Sequence, residues 1–353
     1  MKILFLDGMN TEIVSIATYL YDAAKSHNVE CEYVNLKNIR VRFGYRIIAF
    51  FKRYAYRRKQ KGKSYYIAPK LSLHTLKKIL QDAQPTVIVA VGSLHYYLSK
   101  KDSDSLRKQL GFKWAFYDTD GFFFLSDRSR INFYLKEELS RFDIIFTFSN
   151  SFADFLKRAH FNSVKFLPYG SHRFEVLKTK ASSRQDLLFV GGAEFRRLFY
   201  LEKLADLNIK VYGGSWRKYI SYMSQELREK IIFRDIKLDE LSEEIFSSKI
   251  VLNIVNAESK AIDAGANLRA FEAMAHGVML LTDYCEEVDE IFSIGEHLDV
   301  FNNAHELRKK VEFYLSHNDK RESIARSGYD IVTAQYTWNS VFGRMHKVLR
   351  ESI

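Results

Sequence analysis

The sequence predicts an α/β protein built from two doubly wound, Rossmann-like domains. The chain has 353 residues, which is long for a single core and suits two domains of roughly 150 to 170 residues each. Short β-rich runs alternate with helical stretches from end to end, as they do in parallel sheets covered by helices. A polar stretch from Pro168 to Gln185 interrupts the alternation and is typical of an interdomain connection.

Each domain is expected to hold a sheet of about six strands. The first series is predicted at Ile3–Asp7, Cys31–Asn35, Thr86–Val91, Trp114–Tyr117, Ile144–Phe148 and Val164–Leu167. The second series is predicted at Leu187–Val190, Ile209–Tyr212, Ile231–Phe233, Ile250–Ile254, Val278–Thr282 and Leu298–Val300. We expect a first domain at 1–170, a second at 185–335, and a last helix in 336–353 that could pack back on the first. Open parallel sheets bind ligands at the carboxyl ends of their strands, so two half-sites should face each other across a cleft.

Composition excludes several classes of protein. The two cysteines, Cys31 and Cys285, offer neither a disulfide framework nor a CxxC metal site, so a reducing cytoplasm is the expected location. Met1 and Lys2 run directly into a strand, which is unlike a signal peptide. No run of roughly 18 or more apolar residues is present, so no membrane-spanning segment is expected.

Positive charge is concentrated in one segment of the first domain, residues 37–78. The chain carries 54 Lys and Arg against 43 Asp and Glu, yet no acidic residue lies between Glu32 and Asp82. The basic residues of the segment are Lys37, Arg40, Arg42, Arg46, Lys52, Arg53, Arg57, Arg58, Lys59, Lys61, Lys63, Lys70, Lys77 and Lys78. Apolar residues recur among them at helical spacing, at Ile39, Phe43, Ile47, Phe50, Phe51 and Tyr54.

Three interpretations of this basic segment are open. It is built like a helix that lies on an anionic membrane surface, which would place the protein peripherally on the inner face of the cell membrane. It equally fits a core helix of the first domain with a solvated basic face. Nucleic-acid binding is the weakest interpretation, because no known nucleic-acid motif accompanies the charge.

The most specific segment of the chain is 263–277. A tight loop at Gly265 and Ala266 is followed by Asn267 as a plausible N-cap, and the predicted helix then ends at Gly277. On this helix Arg269, Glu272 and His276 share one face, whereas the core-facing residues are Leu268, Phe271 and Ala275.

Arg269 is unusual for its position. An arginine in the first turn opposes the helix dipole, which indicates that an anion such as a diphosphate neutralises it and takes the free amides of the helix start. Glu272 is then placed to accept hydrogen bonds from ribose hydroxyls. The alternative is an inconsequential Arg269–Glu272 surface pair that contributes about 0.3 to 0.5 kcal/mol.

This segment resembles the CgeB-like, or spore-maturation-type, glycosyltransferases, which belong to the GT-B superfamily together with the group 1 glycosyltransferases. The family pattern Asn-x-Arg-x-Phe-Glu is matched by Asn267, Arg269, Phe271 and Glu272, and similarity extends from about Trp114 to the C-terminus. The resemblance implies a GT-B fold and sugar transfer from a UDP, GDP or dTDP sugar to a hydroxyl acceptor, without metal or other cofactor. We expect the acceptor to be a cell-envelope glycan or a lipid-linked saccharide.

Glycine turns of the second domain also resemble the family's donor-side loops. Gly191 and Gly192 precede Arg196 and Arg197, and such groups can stabilise a departing diphosphate without a metal, although helix–sheet packing needs small residues too. The turn with Gly213 and Trp216 and the loop with Asp235 could border the base. The expected donor-binding residues are Gly191, Gly192, Arg196, Arg197, Gly213, Trp216, Asp235, Asn267, Leu268, Arg269 and Glu272.

The sequence departs from the wider superfamily at one carboxylate. Retaining group 1 enzymes carry a Glu-x7-Glu pair, whose second member is matched by Glu272. The first would fall at Ala264, which has no carboxylate. A contact to the sugar is therefore expected from Asp263, Lys260 or a backbone amide, and the stereochemical outcome stays open.

Candidate catalytic residues of the first domain follow its predicted strands. A carboxylate at Asp118 or Asp120 could take the proton of an acceptor hydroxyl in an inverting reaction, but an aspartate after a strand is equally often a turn or cap residue. His95 is a second candidate, ranked lower because a lone histidine is more often structural. Gly8 and Asn10 end the first strand and could touch the acceptor or the donor phosphate.

Two rival functions fit parts of this pattern. A nucleotide-sugar epimerase on the same scaffold would need carboxylates on both sides of the cleft and would leave the basic segment without a purpose. A non-catalytic membrane- or polyanion-binding protein would have a decayed donor site, whereas Asn267, Arg269 and Glu272 are all present. The expected partners are a nucleotide sugar, a glycan or lipid-linked acceptor and an anionic membrane surface, and nucleic acid is not among them.

Overall fold

The computed structural model describes residues 1–8, 15–60, 68–71, 73–119, 121–172, 174 and 185–352. Two predicted site residues, Asn10 and Asp120, lie outside these ranges. The chain divides into two compact units, the first formed by Met1–Leu167 with Val341–Ile353 and the second by Pro168–Ser340.

The first unit is built on a fully parallel six-stranded sheet. Its strands are β1 (Ile3–Asp7), β2 (Cys31–Asn35), β3 (Val87–Val91), β4 (Lys113–Asp118), β5 (Ile144–Thr147) and β6 (Val164–Phe166). They lie in the order β2-β1-β3-β4-β5-β6, so the direction of strand addition reverses between β1 and β3. Every residue of β1 and β3 is buried, as expected for parallel strands that are covered on both faces.

Helices connect and cover these strands. They are α1 (Ile16–Ser26), α2 (Tyr45–Gln60), α3 (Leu73–Ala83), α4 (Lys100–Leu110), α5 (Arg128–Phe133) and α6 (Asn150–Arg158), with a π-helical turn at Tyr134–Glu138. Short 3₁₀ turns lie at Leu36–Asn38, Leu94–Tyr96, Gly121–Ser126 and Leu139–Arg141. Serine N-caps begin several of the helices: the hydroxyls of Ser15, Ser99 and Ser149 each accept a first-turn amide.

The second unit is also built on a six-stranded parallel sheet covered by helices, but its strand order differs. Its strands are β7 (Gln185–Val190), β8 (Ile209–Tyr212), β9 (Ile231–Ile232), β10 (Ser248–Asn253), β11 (Met279–Asp283) and β12 (Asp299–Phe301). All are parallel and lie in the order β12-β11-β10-β7-β8-β9. The helices are α7 (Phe195–Glu202), α8 (Gln225–Lys230), α9 (Leu238–Phe246), α10 (Ala257–Ala261), α11 (Leu268–Ala275), α12 (Glu286–Ile291), α13 (Ala304–Ser316) and α14 (Asn318–Gln335), with a 3₁₀ stretch at Gly214–Tyr222.

The last helix, α15 (Trp338–Ser352), belongs to the first unit from Val341 onward. Its Phe342 ring lies 6.3 Å from the ring of Phe5 in β1 and 5.4 Å from that of His27 after α1, measured between centroids. Val341, Phe342, Met345 and Leu349 are fully buried, at the i, i+1, i+4, i+8 spacing of one helix face. The sheet of the first unit is thus covered partly by the far end of the chain.

Each predicted strand is present, with boundaries within two residues of the predicted ones. Short apolar runs bounded by polar turns explain most of this agreement, since a run of about 4 to 8 such residues has the length and composition of a buried parallel strand. The predicted fold class is therefore confirmed. None of the helices in the described part of the chain is long and apolar enough to cross a membrane.

Candidate functional site

Polar side chains of the second unit gather where its strand order reverses. β7 and β10 are neighbours in the sheet although β8 and β9 separate them in sequence, so the loops that leave their carboxyl ends diverge. Open α/β sheets hold ligands at such a switch point. Residues 191–194 leave β7 here, residues 254–256 leave β10, and Asp283 ends the next strand.

Glycines bring the loops after β7 and β8 into direct backbone contact. A Cβ on Gly213 would lie 2.4 Å from the carbonyl oxygen of Gly191, and a Cβ on Gly191 would lie 2.9 Å from the Phe189 ring. Larger residues would therefore push the two loops apart. Gly191, for which the sequence left a packing role open, and Gly213 are thus both required by close packing.

Trp216 supports this loop from the inside. Its side chain is fully buried, and its indole N–H donates to the Gly191 carbonyl at 2.9 Å. A buried ring has no face left for a nucleotide base, so Trp216, which was expected to border the base, supports the loop instead. Asp235, in the loop after β9, is exposed and accepts a hydrogen bond from the Gly214 amide at 3.0 Å.

Arg197 ties the β7 loop to the β10 loop. Its Nη1 donates to the carbonyl of Gly192 and its Nε to the carbonyl of Ile254, both at 2.8 Å. Burial lowers the pKa of the guanidinium, an effect that the Glu194 carboxylate partly offsets. Arg197 therefore donates these hydrogen bonds to protein carbonyls and fixes the spacing between the two loops.

Arg196 makes a second connection across the same point. Its guanidinium pairs with both carboxylate oxygens of Asp283, with Nη1 2.9 Å from Oδ2, and Nη1 also donates to the Val255 carbonyl at 2.9 Å. The fully buried Asp283 accepts the Val255 amide as well, at 2.9 Å. The Arg196 side chain remains 22% exposed, so part of it reaches the surface at the switch point.

Side-chain amides hold the start of α11 against the sheet. Asn267 is the N-cap, as predicted, with its Oδ1 accepting the Ala270 amide at 3.3 Å. Its Nδ2 donates to Oδ1 of Asn253 at the end of β10 at 2.8 Å, and Asn253 in turn donates to Thr282 of β11 at 2.9 Å. The helix start is thus positioned by two strands, and Asn267 itself stays partly exposed.

A buried carboxylate that the sequence did not reveal holds the loop before α11. Glu287 of α12 accepts the amides of Gly265 and Ala266 at 3.0 and 3.3 Å. These two amides are therefore engaged by the protein and do not point at a ligand. A Cβ on Gly265 would lie 2.8 Å from the sulfur of Cys285, so α12 packs tightly against this loop.

Arg269 and Glu272 form an ion pair that is shielded from solvent. Nη1 of Arg269 lies 2.6 Å from Oε2 of Glu272, and the side chains are 20% and 10% exposed. Burial raises the pKa of Glu272, and the charge of Arg269 partly offsets this. The Nε of Arg269 is buried and has no hydrogen-bond partner. The pair is therefore not the weak surface pair that the sequence also allowed.

His276 ends α11 on the same face but inside the unit. Its Nδ1 lies 2.6 Å from the Glu272 carbonyl oxygen, and its ring stacks on Phe174 with 3.8 Å between centroids and packs edge-on against Phe246. Burial lowers the pKa of His276 from 6.5 to about 4. His276 is thus a neutral packing residue. Leu268, predicted to face the core, is only partly buried and lies beside the helix start.

In the first unit, Asp118 is a cap residue and not an exposed base. Its Oδ1 accepts the Gly121 amide and the Tyr134 hydroxyl, both at 2.7 Å, and the residue is buried. A Cβ on Gly121 would lie 2.3 Å from Oδ2 of Asp118, so the turn closes over the carboxylate. The predicted catalytic role is corrected to the alternative, because an acceptor hydroxyl has no open path to a covered carboxylate.

His95 is likewise buried, within a charged cluster that the sequence did not reveal. Glu138, on the π-helical turn, accepts the amides of Leu94 and His95 at 2.5 and 3.2 Å and pairs with Arg141 at 3.2 Å. Burial alone would raise the pKa of Glu138, but neighbouring Arg141 and His95 outweigh it and the pKa is lowered. His95 Nδ1 lies 3.3 Å from Glu138, so His95, the lower-ranked catalytic candidate, occupies a buried, structural position.

Gly8 lies at the switch point of the first unit. Its amide donates to the Val91 carbonyl at 2.9 Å, and a Cβ there would lie 3.2 Å from the Ser93 carbonyl oxygen. The preceding residue, Asp7, accepts the hydroxyls of Ser15 and Tyr33 at 2.7 and 2.9 Å. Gly8 therefore allows β1 and β3 to stay close where their loops diverge.

Comparison with known proteins agrees with this architecture. Residues 196–347 match a family model described as glycosyl transferase-like, a stretch that includes Arg196, Arg269 and Glu272. Sucrose-phosphate synthase from Thermosynechococcus elongatus superposes with a TM-score of 0.68 at 12% identity over 99% of each chain. HepE of Anabaena in complex with UDP-glucose gives 0.67 at 14% identity over 99% of this chain and 100% of that one.

A third similar structure is the lipopolysaccharide outer core galactosyltransferase WaaB, with a TM-score of 0.58 and 12% identity over 100% of both chains. No curated protein sequence matches the chain significantly. At these identities the structural likeness establishes the GT-B fold of two Rossmann-like domains. The family-model match agrees with the predicted class of enzyme, a glycosyltransferase.

Proposed function

We propose that the protein transfers a sugar from a nucleoside-diphosphate sugar to a hydroxyl group of a cell-envelope glycan or lipid-linked saccharide. In this reaction the bond between the sugar C1 and the diphosphate breaks, a bond between C1 and the acceptor oxygen forms, and the acceptor proton is released. The pattern at Asn267, Arg269, Phe271 and Glu272 favours the CgeB-like branch of the enzyme class.

The Arg269–Glu272 pair at the start of α11 carries this proposal. A guanidinium in the first turn is unfavourable beside the positive end of the helix dipole, and a buried donor without a partner costs about 1 to 3 kcal/mol. Arg269 has both properties. A diphosphate at the helix start offsets both costs, because it supplies negative charge and hydrogen-bond acceptors.

Glu272 lies one turn further along and provides a second contact. Its carboxylate is held by Arg269 at 2.6 Å and faces the same side of the helix. A carboxylate in this place can accept hydrogen bonds from the two ribose hydroxyls, which distinguishes a nucleotide from inorganic diphosphate. The structure of HepE with UDP-glucose supports a uridine nucleotide as the first donor to test.

Catalysis is proposed to use fixed positive charge in place of a metal ion. Negative charge grows on the departing diphosphate in the transition state, and preoriented donors stabilise it more than they stabilise the bound donor. Arg269 supplies one such group, and the exposed part of Arg196 supplies another across the switch point. Arg197 acts by fixing the loop spacing.

The proposal is tested by nucleotide binding to the full chain. Thermal unfolding is measured with UDP, GDP and dTDP, and a ligand present at about 100 times its dissociation constant should stabilise the protein by about 2.7 kcal/mol. Glu272→Ala and Arg269→Ala should each weaken binding by about tenfold or more, because each removes a charge-assisted hydrogen bond of about 1.5 to 3 kcal/mol.

Glu226→Ala and Arg228→Ala serve as matched controls, since both side chains are exposed on α8 of the same unit. They should bind nucleotide like the parent. If no nucleoside diphosphate shifts the transition, or if the Glu272 and Arg269 variants bind as tightly as these controls, the donor site is not at α11.

A further inference from the structure

Helix α2 of the first unit turns its apolar face to solvent. Ile47, Phe50, Phe51 and Tyr54 lie at i, i+3, i+4 and i+7, and they are 64%, 67%, 64% and 59% exposed. Phe43, just before the helix, is 97% exposed. The interpretation of α2 as a core helix with a solvated basic face is therefore wrong, because the apolar stripe is the outward one.

The contrast with α1 shows how unusual this arrangement is. The apolar stripe of α1 includes Ile16, Leu20 and Ala24, all buried against the sheet of the same unit. Burial of a large apolar side chain contributes about 1.5 to 3 kcal/mol, so a folded chain rarely leaves several of them in water on one helix face. An exposed stripe of this kind marks a surface that binds something apolar.

A basic hollow of about 660 Å³ adjoins the start of this stripe. Arg42, Arg46 and Lys70 contribute its positive charge, and Ile47 contributes part of its wall. The hollow is built by tertiary contacts, since the Arg42 amide donates to the Lys70 carbonyl at 3.0 Å and the Tyr45 hydroxyl to the Ala68 carbonyl at 3.0 Å. Cations and apolar side chains are thus held side by side.

We propose that α2 and this hollow form a docking surface for an anionic lipid bilayer. Lipid phosphates are held by Arg42, Arg46 and Lys70 while Phe50, Phe51 and neighbouring apolar side chains enter the boundary between headgroups and acyl chains. Charge complementarity supports this occupant: residues 33–81 contain no Asp or Glu, and each Lys or Arg near an anionic surface contributes about 1 kcal/mol.

The apolar stripe favours lipid over nucleic acid. A nucleic-acid surface can use exposed aromatic rings for base stacking, whereas Ile47, which is as exposed as the rings around it, has no π-face for a base. A bilayer accepts aliphatic and aromatic groups alike. The surface lies in the first unit and α11 in the second, so this proposal stands or falls independently of the donor site.

Sedimentation of the 353-residue chain with vesicles tests the proposal. One set of vesicles is pure phosphatidylcholine and the other contains added phosphatidylglycerol. We expect binding to the anionic vesicles that is at least about tenfold tighter than to the neutral ones and that weakens as salt is raised. Equal binding to both sets, or no binding to either, would overturn the proposal.

Two double variants separate the electrostatic and apolar contributions. Arg42→Glu with Arg46→Glu should reduce anionic-vesicle binding about tenfold or more, and Phe50→Ser with Phe51→Ser should reduce it without changing net charge. The charge-matched control is Lys218→Glu with Lys309→Glu, and the aromatic control is Phe199→Ser with Tyr222→Ser, all exposed in the second unit.

Both controls should bind vesicles like the parent, and all variants should keep the parent's thermal transition and UDP response. If the controls lose as much binding as the α2 variants, attraction is nonspecific and no docking surface exists. If the charge reversal weakens binding to a single-stranded oligonucleotide as well as to vesicles while the Phe50 and Phe51 double variant changes neither, the surface is a polyanion site and not a lipid site.

Discussion

The two sheets present chemically different edges at the carboxyl ends of their strands. In the first unit Glu138 and Arg141 are sealed inside, with exposures of 0% and 1%, and the strand-end carboxylates Asp7 and Asp118 are buried too. In the second unit Arg196 and Arg269 keep 22% and 20% of their side chains exposed while paired with buried carboxylates. The first arrangement serves to hold loops in place, whereas the second holds loops and also leaves positive charge within reach of a ligand.

The largest loss of stability is expected when the buried charged cluster of Glu138, Arg141 and His95 in the first unit is broken. Glu138→Gln leaves Arg141 buried without a counter-charge, which should destabilise the protein by about 3 to 5 kcal/mol. Denaturant unfolding followed by circular dichroism measures this. The neighbouring Glu137→Gln is the control, because that side chain is exposed and should change stability by no more than about 0.5 kcal/mol. If Glu138→Gln and Glu137→Gln have equal stability, the buried cluster does not hold the loops of the first unit in place.

A smaller effect on stability, accompanied by weaker nucleotide binding, is expected at the second-unit edge. Asp283→Asn removes the counter-charge of Arg196 and one acceptor that holds the β10 loop. It should lower the free energy of unfolding by about 2 to 3 kcal/mol. This loss is smaller than that expected for Glu138→Gln because Arg196 is partly solvated. UDP affinity should fall as well, since the loops at the switch point lose their spacing. Asp289→Asn, exposed on α12, is the matched control. If Asp283→Asn lowers stability but leaves UDP affinity unchanged, this edge of the second unit only holds loops in place, as the edge of the first unit does.

The smallest effect concerns pH and the end of α11. His276 has a pKa of about 4 in the folded state against 6.5 as its ordinary value, so the unfolded chain binds more protons between these two limits. Stability therefore falls as pH is lowered through this window, by about 1.5 to 2 kcal/mol between roughly pH 7 and pH 5. Glu272, whose pKa is raised, opposes this trend.

Comparison of variants isolates the histidine. His276→Gln keeps an amide that can donate to the Glu272 carbonyl and should make the stability less dependent on pH over the same interval. His305→Gln, at an exposed position on α13, should retain the parent's slope. The parameter to compare is the difference in unfolding free energy between the two pH values, and identical slopes for all three proteins would show that His276 is not the group responsible.

The architecture and the position of α11 could be read from sequence because they depend on local signals. Buried aliphatic runs define parallel strands, and Asn267 with Gly277 brackets a helix through capping chemistry that acts over three or four residues. Arg269 and Glu272 are one turn apart on that helix, so their pairing also follows from spacing alone.

The roles of Asp118, His95 and Trp216 could not be read in this way. Each role is decided by a partner from elsewhere in the chain. The Tyr134 hydroxyl donates to Asp118, and Glu138 lies beside His95. The Gly191 carbonyl accepts the indole N–H of Trp216. Spacing predicts which residues end a strand at the ligand edge, but burial determines whether such a side chain faces a ligand or supports a loop.

Helix α2 likewise shows which properties depend on local sequence and which depend on tertiary packing. The sequence by itself determined that an amphipathic, strongly basic helix forms, because periodicity and charge are properties of a single segment. Only the tertiary structure decided that its apolar side faces outward, since the orientation of a helix depends on whether other elements offer it an apolar surface. Here the sheet of the first unit is covered by other helices, α15 from the far end of the chain among them, and the stripe from Ile47 to Tyr54 is left exposed.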